Sequence, residues 1–464
     1  MKLRFFNTMS RTKEDFIPID KNEITYYSCG PTVYWTPHVG NLRAYVFTDI
    51  LKRVLLYNKY KVKHCMNYTD VGHLTSDADT GEDKIEKAAK KENKTAIEIS
   101  EHYTMEFNRD CKKLNIIPPT ITCKATEYIQ EQIELIEKLE KKGFTYKTDD
   151  GIYFDSSKFP DYGKLGRINI DELSPGKRTC MRGKKHKTDF ALWKFSEKPG
   201  VRQQEWKSPW GTGFPGWHTE CCAMSIKHLG EQFDIHTGGE DHIQVHHTNE
   251  IAQAETYTGK KPWVNYWMHN GYLTFKGEKV SKSKGGLYTL AELENKGYNP
   301  IDFRYLCLTA QYRKQLNFSF EAMDSAKNTL ARLKHKILEL KNNTDSNKTE
   351  NYDKFKEEFL EGVNNDLNTP KALSVLWAML DDKELGSLEK LELAFDFDKV
   401  LGLSLENVKE EKIEAPKDVL SLVKARQKAR EEKDFAAADK ARYELKEKGF
   451  AVDDTPDGPK LRKL

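Results

Sequence analysis

Four donor groups of the kinds that bind transition metals lie far apart along the chain. Cys29 and Cys221 offer thiolates from two separate segments. His246 and Glu250 are four residues apart in a third segment, so on a helix both side chains point to one face. Thiolate and imidazole ligands favour zinc over harder cations. A cysteine taken singly is more often an inert buried thiol, but the four groups together predict a metal site.

The segment 38–41, His-Val-Gly-Asn, has the residue types of a phosphate-binding site. It lies between the end of a predicted strand and the start of a predicted helix, where unpaired N–H groups and the helix dipole favour anions. His38 and Asn41 can donate hydrogen bonds to phosphate oxygens, and Gly40 lets a flat ring approach the backbone. Taken alone, the segment is as readily an ordinary helix cap and turn.

A lysine-rich segment, residues 279–286, follows the last predicted strand of the sheet. Lys279 and Lys282 lie on a stretch that ends in two glycines, and such a loop can close over a phosphate chain and neutralise charge as pyrophosphate departs. By itself the segment is better explained as a solvated lysine loop. Together with the segment 38–41, and in this order along the chain, it favours a nucleotide site.

Alternating strand and helix patterns surround the first of these residues. Residue types and spacing predict strands over 24–29 and 62–66, with an amphipathic helix over 42–57 between them. Such alternation is typical of a parallel sheet wrapped by helices, whose ligands bind beyond the carboxyl ends of the strands. Cys29 lies at one such end.

The alternation resumes after a stretch rich in Gly, Pro and Trp, which we interpret as an insertion. Beyond it, residues 232–236 are predicted as a strand, Gly238 and Gly239 as a turn, and residues 246–257 as a helix. The sheet is therefore expected to be split in sequence and joined in space.

The changes of pattern predict an α/β fold with several parts. We expect a Rossmann-like parallel sheet domain with an insertion, followed by an α-helical bundle and a small C-terminal α+β domain. The predicted segments are 1–150 for the first half of the sheet domain, 151–216 for the insertion, 217–300 for the second half and the lysine loop, 301–405 for the bundle, and 406–464 for a linker and the C-terminal domain.

Composition excludes several classes of protein. The chain has 464 residues, 32% of them charged, and its longest plainly apolar stretch is the nine residues 372–380, far short of the ~20 that span a bilayer. The first residues lack an apolar run of signal-peptide length, which indicates a cytoplasmic protein. Eight cysteines are too sparse for a disulfide scaffold, and a net charge of +3 does not by itself indicate nucleic-acid binding.

From its first residues to its C-terminus the chain resembles the cysteinyl-tRNA synthetases, a family of class I aminoacyl-tRNA synthetases. HVGN at 38–41 and KVSKS at 279–283 are similar to the two class signatures commonly written HIGH and KMSKS. Asn41 and Val280 depart mildly from them, since Asn still donates hydrogen bonds and Val still packs. Further segments similar to the family are CGPTVY at 29–34, NYTD at 67–70, SPWG at 208–211, GWHTEC at 216–221, DIHTGG at 234–239 and HHTNEI at 246–251.

The resemblance implies a ligase that activates L-cysteine with ATP to cysteinyl-adenylate and transfers it to tRNA(Cys). It implies one zinc ion per chain, which selects the cysteine thiolate, and ATP with Mg2+ as substrate. The implied zinc ligands, with His246 in preference to His247, are Cys29, Cys221, His246 and Glu250. The implied catalytic residues are His38, Asn41, Lys279 and Lys282. The implied ATP-binding residues are His38, Gly40, Asn41, Asp241 and Lys282. The implied cysteine-binding residues are Gly30, Thr69, Trp217 and His236.

Two alternatives remain from the residues. A related ligase joins cysteine to an amino sugar but lacks an RNA-reading end, so the block after Pro416, implied to be an anticodon-binding domain, argues against it. A non-catalytic RNA- or zinc-binding relative is disfavoured by His38, Lys279 and Lys282. The expected partners are tRNA(Cys), L-cysteine and ATP, without a membrane, and we expect a monomer.

Overall fold

A computed structural model of the chain describes residues 2–72, 74–76, 80–168, 183–275, 278–279, 287–409, 416–455 and 458–463. The chain divides into two units, residues 1–406 and residues 407–464. Among the helices described, none has both the length and the apolar character that crossing a membrane requires.

The first part of the larger unit alternates strands with helices, as the sequence pattern predicts. The elements are β1 (Arg4–Asn7), β2 (Thr12–Asp15), β3 (Glu23–Ser28), α1 (Val39–Tyr57), β4 (Lys61–Tyr68), β5 (Leu74–Ser76), β6 (Thr80–Asp83), α2 (Lys84–Glu92), α3 (Ala96–Lys113), β7 (Ile121–Lys124) and α4 (Ile129–Lys141). The strands β3 and β4 and the helix α1 lie where β-branched runs and three- to four-residue apolar spacing predict them.

The middle of the unit contains the inserted region and the return of the chain to the sheet. The elements are β8 (Thr145–Lys147), β9 (Gly151–Phe154), β10 (Phe190–Phe195), β11 (Gly213–Pro215), α5 (Trp217–Leu229), β12 (Phe233–Gly239), α6 (His246–Thr258), β13 (Val264–Asn270), β14 (Leu273–Phe275) and β15 (Glu278–Lys279). Strands β8 to β11 form an antiparallel sheet of their own, which begins before residue 151.

The turn predicted at Gly238 and Gly239 is wrong, because both residues belong to β12. They pair in parallel with His269 and Asn270 of β13, so the strand continues to the edge of the sheet. A Cβ atom at Gly238 would lie 2.5 Å from the His242 ring, and the absent side chain therefore leaves room for a neighbouring imidazole.

A parallel sheet joins the two parts across the insertion. In the described residues its strand order is β13-β12-β3-β4-β7, with every pair parallel. The chain leaves β3 towards β4 on one side, whereas β12 pairs with the other side of β3. The carboxyl end of β3 is thus a point where the strand order reverses, which is where open α/β sheets bind ligands.

Helices follow the sheet and form the predicted bundle. The elements are α7 (Leu290–Asn295), α8 (Pro300–Leu308), β16 (Leu316–Phe318), α9 (Phe320–Lys341), α10 (Asn351–Asn364), α11 (Thr369–Asp381) and α12 (Ser387–Leu401). The short strand β16 interrupts the helices and pairs in parallel with β14.

A buried charge network links the sheet domain to the bundle. Arg304 of α8 is fully buried, and its Nη2 atom lies 2.6 Å from Oδ2 of Asp49 in α1. Arg53 of α1 contacts the same carboxylate oxygen through Nε at 2.7 Å. Arg304 Nε also donates to the Leu401 carbonyl of α12 at 2.7 Å. Since buried charges are costly without partners, α1, α8 and α12 hold one another in place.

The smaller unit is two helices and a hairpin, in agreement with the α+β prediction. Its elements are α13 (Lys417–Glu431), α14 (Phe435–Glu447), β17 (Phe450–Thr455) and β18 (Gly458–Lys463). Strands β17 and β18 pair antiparallel, and the unit has its own apolar core, which includes Val419, Leu445, Phe450 and Val452. Arg426 of α13 donates two hydrogen bonds to Asp454 of β17, at 2.7 and 2.9 Å.

Candidate active site

A cavity of about 450 Å³ opens at the carboxyl edge of the parallel sheet. It lies beyond the ends of β3, β4, β12 and β13 and beside the N-termini of α1 and α5. The residues predicted for function that line it are Cys29, Gly30, His38, Gly40, Asn41, Thr69, Trp217, Cys221, Asp241 and His246. His236 and Glu250 do not line it and are fully buried behind its wall.

Neither of the two predicted lysines has a described side chain. Lys282 lies outside the described residues. The backbone of Lys279 belongs to β15, opposite Thr274 of β14, and its side chain lies outside the described part of the chain. Their role stays a prediction from the sequence.

The N-terminus of α1 is capped by its own signature residues, His38 and Asn41. Nδ1 of His38 accepts from the Asn41 backbone N–H at 3.3 Å, and the Asn41 side-chain oxygen accepts from the His38 backbone N–H at 3.3 Å. A Cβ atom at Gly40 would lie 2.9 Å from the His38 ring. Glycine at this position therefore lets the imidazole lie against the first turn, with the positive end of the helix dipole at the cavity.

The four predicted metal ligands converge on one point. Their donor atoms all lie within 4.8 Å of one another. Cys221 Sγ lies 3.6 Å from His246 Nε2, and Cys29 Sγ lies 4.0 Å from Glu250 Oε1. In a tetrahedral zinc site with bonds of ~2.0–2.3 Å, donor atoms are separated by ~3.3–3.8 Å. The thiolate, imidazole and carboxylate donors and their convergence on one point fit zinc.

A second group of donors overlaps the first. Cys29 and Glu250 also lie within 4.8 Å of His236 and His247, and the distance from Cys29 Sγ to His247 Nε2 is 3.3 Å. His236 and His247 are both fully buried, whereas His246 lines the cavity. A metal that contacts a substrate in the cavity therefore fits the group that contains His246.

Electrostatics within the cluster favour a bound cation. Burial and the neighbouring Cys221 raise the pKa of the Cys29 thiol well above its ordinary value, so the thiol keeps its proton until a cation displaces it. Burial alone would raise the pKa of Glu250, but His246 and His236 hold it below its ordinary value. Glu250 is therefore a carboxylate, ready to ligate.

Two further histidines hold the ligands in orientation. His218 of α5 lies against His246, with 2.8 Å between their Nδ1 atoms, which leaves His246 Nε2 directed at the cluster. His236 Nε2 lies 2.8 Å from Glu250 Oε2, so His236, predicted for the cysteine pocket, also contacts a predicted metal ligand. Outer hydrogen-bond partners of this kind fix ring orientation and ligand basicity. In the sequence, the signal that His218 orients His246 is its place in the GWHTEC segment, three residues before Cys221.

The cavity wall beside the metal cluster is built on Asn67, a residue of the NYTD segment to which the sequence analysis assigned no role. Its side-chain oxygen accepts from the Gly30 backbone N–H at 2.9 Å, and its side-chain nitrogen donates to Thr69 Oγ1 at 3.0 Å. A Cβ atom at Gly30 would lie 1.5 Å from the Asn67 carbonyl oxygen, so only glycine fits. The Trp217 ring lies 4.4 Å, centre to centre, from that of His246 and completes the wall.

Two known families match separate parts of the chain. The family described as "tRNA synthetases class I (C) catalytic domain" matches residues 15–328. The family described as "Cysteinyl-tRNA ligase anticodon binding domain" matches residues 414–462. Both matches agree with the division of the chain into a larger unit and a smaller one.

Relatives match the whole length. The chain is 48% identical to cysteine–tRNA ligase 1 of Burkholderia lata over 462 residues, which cover 99% of this chain and 97% of the relative. It is 43% identical to the cysteine–tRNA ligase of Treponema denticola over 496 residues, which cover 100% of both. The structure of Mycobacterium tuberculosis methionyl-tRNA synthetase in complex with methionyl-adenylate has a similar fold, with a TM-score of 0.59 at 15% identity over 82% of this chain and 90% of that one. The chain therefore belongs to the cysteine–tRNA ligase family, within the class I aminoacyl-tRNA synthetases.

Proposed function

We propose that the cavity at the carboxyl edge of the sheet is where this ligase activates L-cysteine with ATP, before the cysteinyl group passes to tRNA(Cys). One observation carries the proposal. A thiolate-, imidazole- and carboxylate-bearing metal cluster and the N-terminus of α1 open onto a single cavity of about 450 Å³. One cavity thus offers a site for a soft amino-acid side chain and a site for phosphate, so that cysteine and ATP can occupy it together.

The phosphate end of the reaction is assigned to α1. In the proposed step the cysteine carboxylate attacks the α-phosphorus of ATP, the bond to the β-phosphate oxygen breaks, and pyrophosphate leaves with both electrons of that bond. His38, Gly40 and Asn41 hold the phosphates at the helix N-terminus, and Asp241 faces the ribose. The chain contributes positioning and charge stabilisation without forming a covalent intermediate of its own.

The lysine segment completes the phosphate site in the proposal. Lys279 and Lys282 would neutralise the charge that develops on pyrophosphate, on the strength of the sequence signature alone. ATP is proposed to enter with Mg2+, and no residue of this chain is assigned to the ion.

The amino-acid end is assigned to the cluster and its wall. Cys29, Cys221, His246 and Glu250 would hold one zinc ion, with Gly30, Thr69 and Trp217 enclosing the backbone of the amino acid. A zinc ion bound there would take the cysteine sulfur as a thiolate, which serine cannot match because its hydroxyl keeps its proton. His236 acts through Glu250, which it orients.

The larger and smaller units have separate proposed tasks. The smaller unit, with its match to an anticodon-binding family, would bind the anticodon of tRNA(Cys). The proposed active form is a monomer. The described cysteines are free thiols, which fits a reducing compartment and supports a cytoplasmic location.

The alternative of a ligase that joins cysteine to an amino sugar is not favoured. Such an enzyme has no use for the smaller unit, which folds around its own core and matches an anticodon-binding family. A non-catalytic relative would have no need of a metal cluster and a helix N-terminus that open onto one cavity.

ATP–pyrophosphate exchange tests the proposal directly. We expect exchange with cysteine and not with the other nineteen amino acids, followed by charging of a tRNA(Cys) transcript. The Cys221→Ser variant serves as the matched control, since it keeps the α1 phosphate site and loses a metal ligand. Exchange with another amino acid, or transfer to an amino sugar without charging of tRNA, would overturn the proposal.

A further inference from the structure

Three hydrogen bonds run in one direction along the cavity wall and end behind it. The Gly30 backbone N–H donates to Asn67 Oδ1 at 2.9 Å, and Asn67 Nδ2 donates to Thr69 Oγ1 at 3.0 Å. Thr69 Oγ1 donates to Glu220 Oε2 at 2.9 Å. The series begins two residues after β3, passes the end of β4 and ends on α5. It therefore links three elements whose residues form the site.

The direction of the series follows from the groups at its two ends. A backbone N–H can only donate, so the oxygen of the Asn67 amide faces Gly30 and its NH2 group faces Thr69. That NH2 group can also only donate, which makes the Thr69 hydroxyl oxygen an acceptor on that side. The hydroxyl hydrogen must then point elsewhere, and the Glu220 carboxylate accepts it.

These two partners decide whether the Thr69 hydroxyl donates or accepts a hydrogen bond on the side of the cavity. Its hydrogen is committed to Glu220, so the remaining lone pair can only accept a hydrogen bond. Thr69 and Asn67 line the cavity, whereas Glu220 is fully buried and does not. Glu220 therefore reaches a substrate only through Thr69.

The neighbouring carboxyl group does not share this task. Both oxygens of Asp70 accept from Thr126, at 2.9 Å from its backbone N–H and 2.6 Å from its hydroxyl. The Asp70 carboxylate is therefore occupied by Thr126, the second residue after β7. Glu220 is the carboxylate that orients Thr69.

An acceptor at this position selects one part of the amino acid. A bound cysteine has a carboxylate, which only accepts hydrogen bonds, and an ammonium group, which only donates them. We propose that Glu220 is a positioning residue that turns the Thr69 hydroxyl into an acceptor for the ammonium group of the substrate. This inference rests on the proposed function, because it requires the cavity to bind cysteine.

The mechanism of selection is both geometric and electrostatic. A hydroxyl with a free choice of rotamer can serve a donor or an acceptor, whereas this one is fixed by its two partners. The buried Glu220 carboxylate also adds negative potential behind the hydroxyl, which favours a cation in front of it. A thiol acid without the ammonium group gains nothing from Thr69.

Three thiol ligands separate this role from a general structural one. Cysteine and cysteamine carry the ammonium group, whereas 3-mercaptopropionate carries the thiol and carboxylate alone. Cobalt-loaded full-length enzyme reports the binding of each thiol through an increase in the sulfur-to-metal charge-transfer absorption that Cys29 and Cys221 already give. We expect Glu220→Leu, which removes the acceptor of the Thr69 hydrogen, and Thr69→Val, which removes the hydroxyl, to weaken cysteine and cysteamine about tenfold, the loss of one hydrogen bond to a charged group. Both variants should leave 3-mercaptopropionate unchanged.

Controls and kinetics make the outcome decisive. Asp70→Asn, which alters the neighbouring carboxyl and leaves the contact between Thr69 and Glu220 in place, should leave all three affinities near those of the unmodified enzyme. In Glu220→Leu the KM for cysteine should rise about tenfold while the KM for ATP and the metal content stay constant. Equal weakening of all three ligands, or no weakening of any, would overturn the inference. A cobalt-loaded enzyme of unmodified sequence whose charge-transfer absorption changes with none of the thiols would instead contradict the proposed function.

Discussion

His246 and Glu250 lie one turn apart on α6, and the distance between His246 Nε2 and Glu250 Oε1 is 2.7 Å. The contact directs both groups to the same point as the Cys29 and Cys221 sulfurs. The next residue along the helix, His247, also lies near Cys29. Two adjacent imidazoles are thus near one metal position, and substitution of each in turn identifies the ligand.

We expect His246→Gln to abolish retention of zinc and His247→Gln to preserve it. Only His246 both contacts Cys221 and lines the cavity, whereas His247 Nδ1 is held at 2.8 Å by His269. Metal content after dialysis, measured per chain by atomic emission, checks the pair. Zinc retained by His246→Gln and lost from His247→Gln would place the metal in the deeper group of donors.

Adjacent cysteines on α5 provide a second matched pair. Cys221→Ser should weaken zinc binding by more than the ~10–100-fold that loss of an outer partner costs, because it removes a ligand. Cys222→Ser should leave binding unchanged, since Cys222 Sγ donates to the Glu250 backbone carbonyl at 3.4 Å and contributes no ligand. Competition with a chromogenic chelator measures both affinities. Equal effects in the two variants would contradict the assignment.

Selection of cysteine over serine should be visible at the metal. Packing alone discriminates by only ~1–3 kcal/mol between side chains that differ by one small group, which is too little for accurate translation. In cobalt-substituted enzyme, Cys29 and Cys221 already give a sulfur-to-metal charge-transfer band, and we expect this band to gain intensity on addition of cysteine and to stay unchanged on addition of serine or alanine. A spectrum that cysteine leaves unchanged would make the metal structural.

Lys282→Ala is expected to slow adenylate formation by ~100-fold or more, the usual cost of one donor to developing charge. The affinity for cysteine should remain within about twofold, because the interaction is made only as pyrophosphate departs. Single-turnover exchange and equilibrium binding measure the two quantities. Lys284→Ala, two residues further along the same segment, is the matched control and should behave as the unmodified enzyme.

Removal of residues 407–464 should separate the two halves of the reaction. The smaller unit has its own core, so its loss should leave ATP–pyrophosphate exchange within about twofold of the intact enzyme. Charging of tRNA(Cys) should fall at least ~100-fold, mainly through a higher KM for the RNA. An equal loss of both activities would show that the unit supports the catalytic cavity.

The elements that the sequence predicted well are those with long apolar periodicity. The helix α1 was predicted over 42–57 and spans Val39–Tyr57. Its first turn was missed because the signature residues there do not follow the apolar spacing of the rest of the helix. The strands β7 and β16 were missed, because segments of four and three residues have too few positions to show an alternating pattern. The glycines at the end of β12 were predicted as a turn, since sequence alone does not show that an imidazole occupies the space of a side chain.

The predicted site residues were found through chemistry-bearing residue types and through resemblance. The residues that orient them were not, because their roles depend on contacts between distant parts of the chain. Thr69 and Glu220 are 151 positions apart yet share a hydrogen bond. His218 is an ordinary polar residue in the sequence, and only the crossing of α5 and α6 brings its ring to His246.

The buried contact between Arg304 and Asp49 bears on how such a chain can be divided or recombined in evolution. A gene split near residue 300 would leave Asp49 without one of its two guanidinium partners and expose the apolar faces of α1 and α8 to water. A split after residue 406 would leave that network intact, because the carbonyl of Leu401 precedes it. The sheet domain and the bundle must therefore be inherited together. The segment beyond them can be exchanged, lost or acquired without disturbing the buried contacts of Asp49, Arg53 and Arg304.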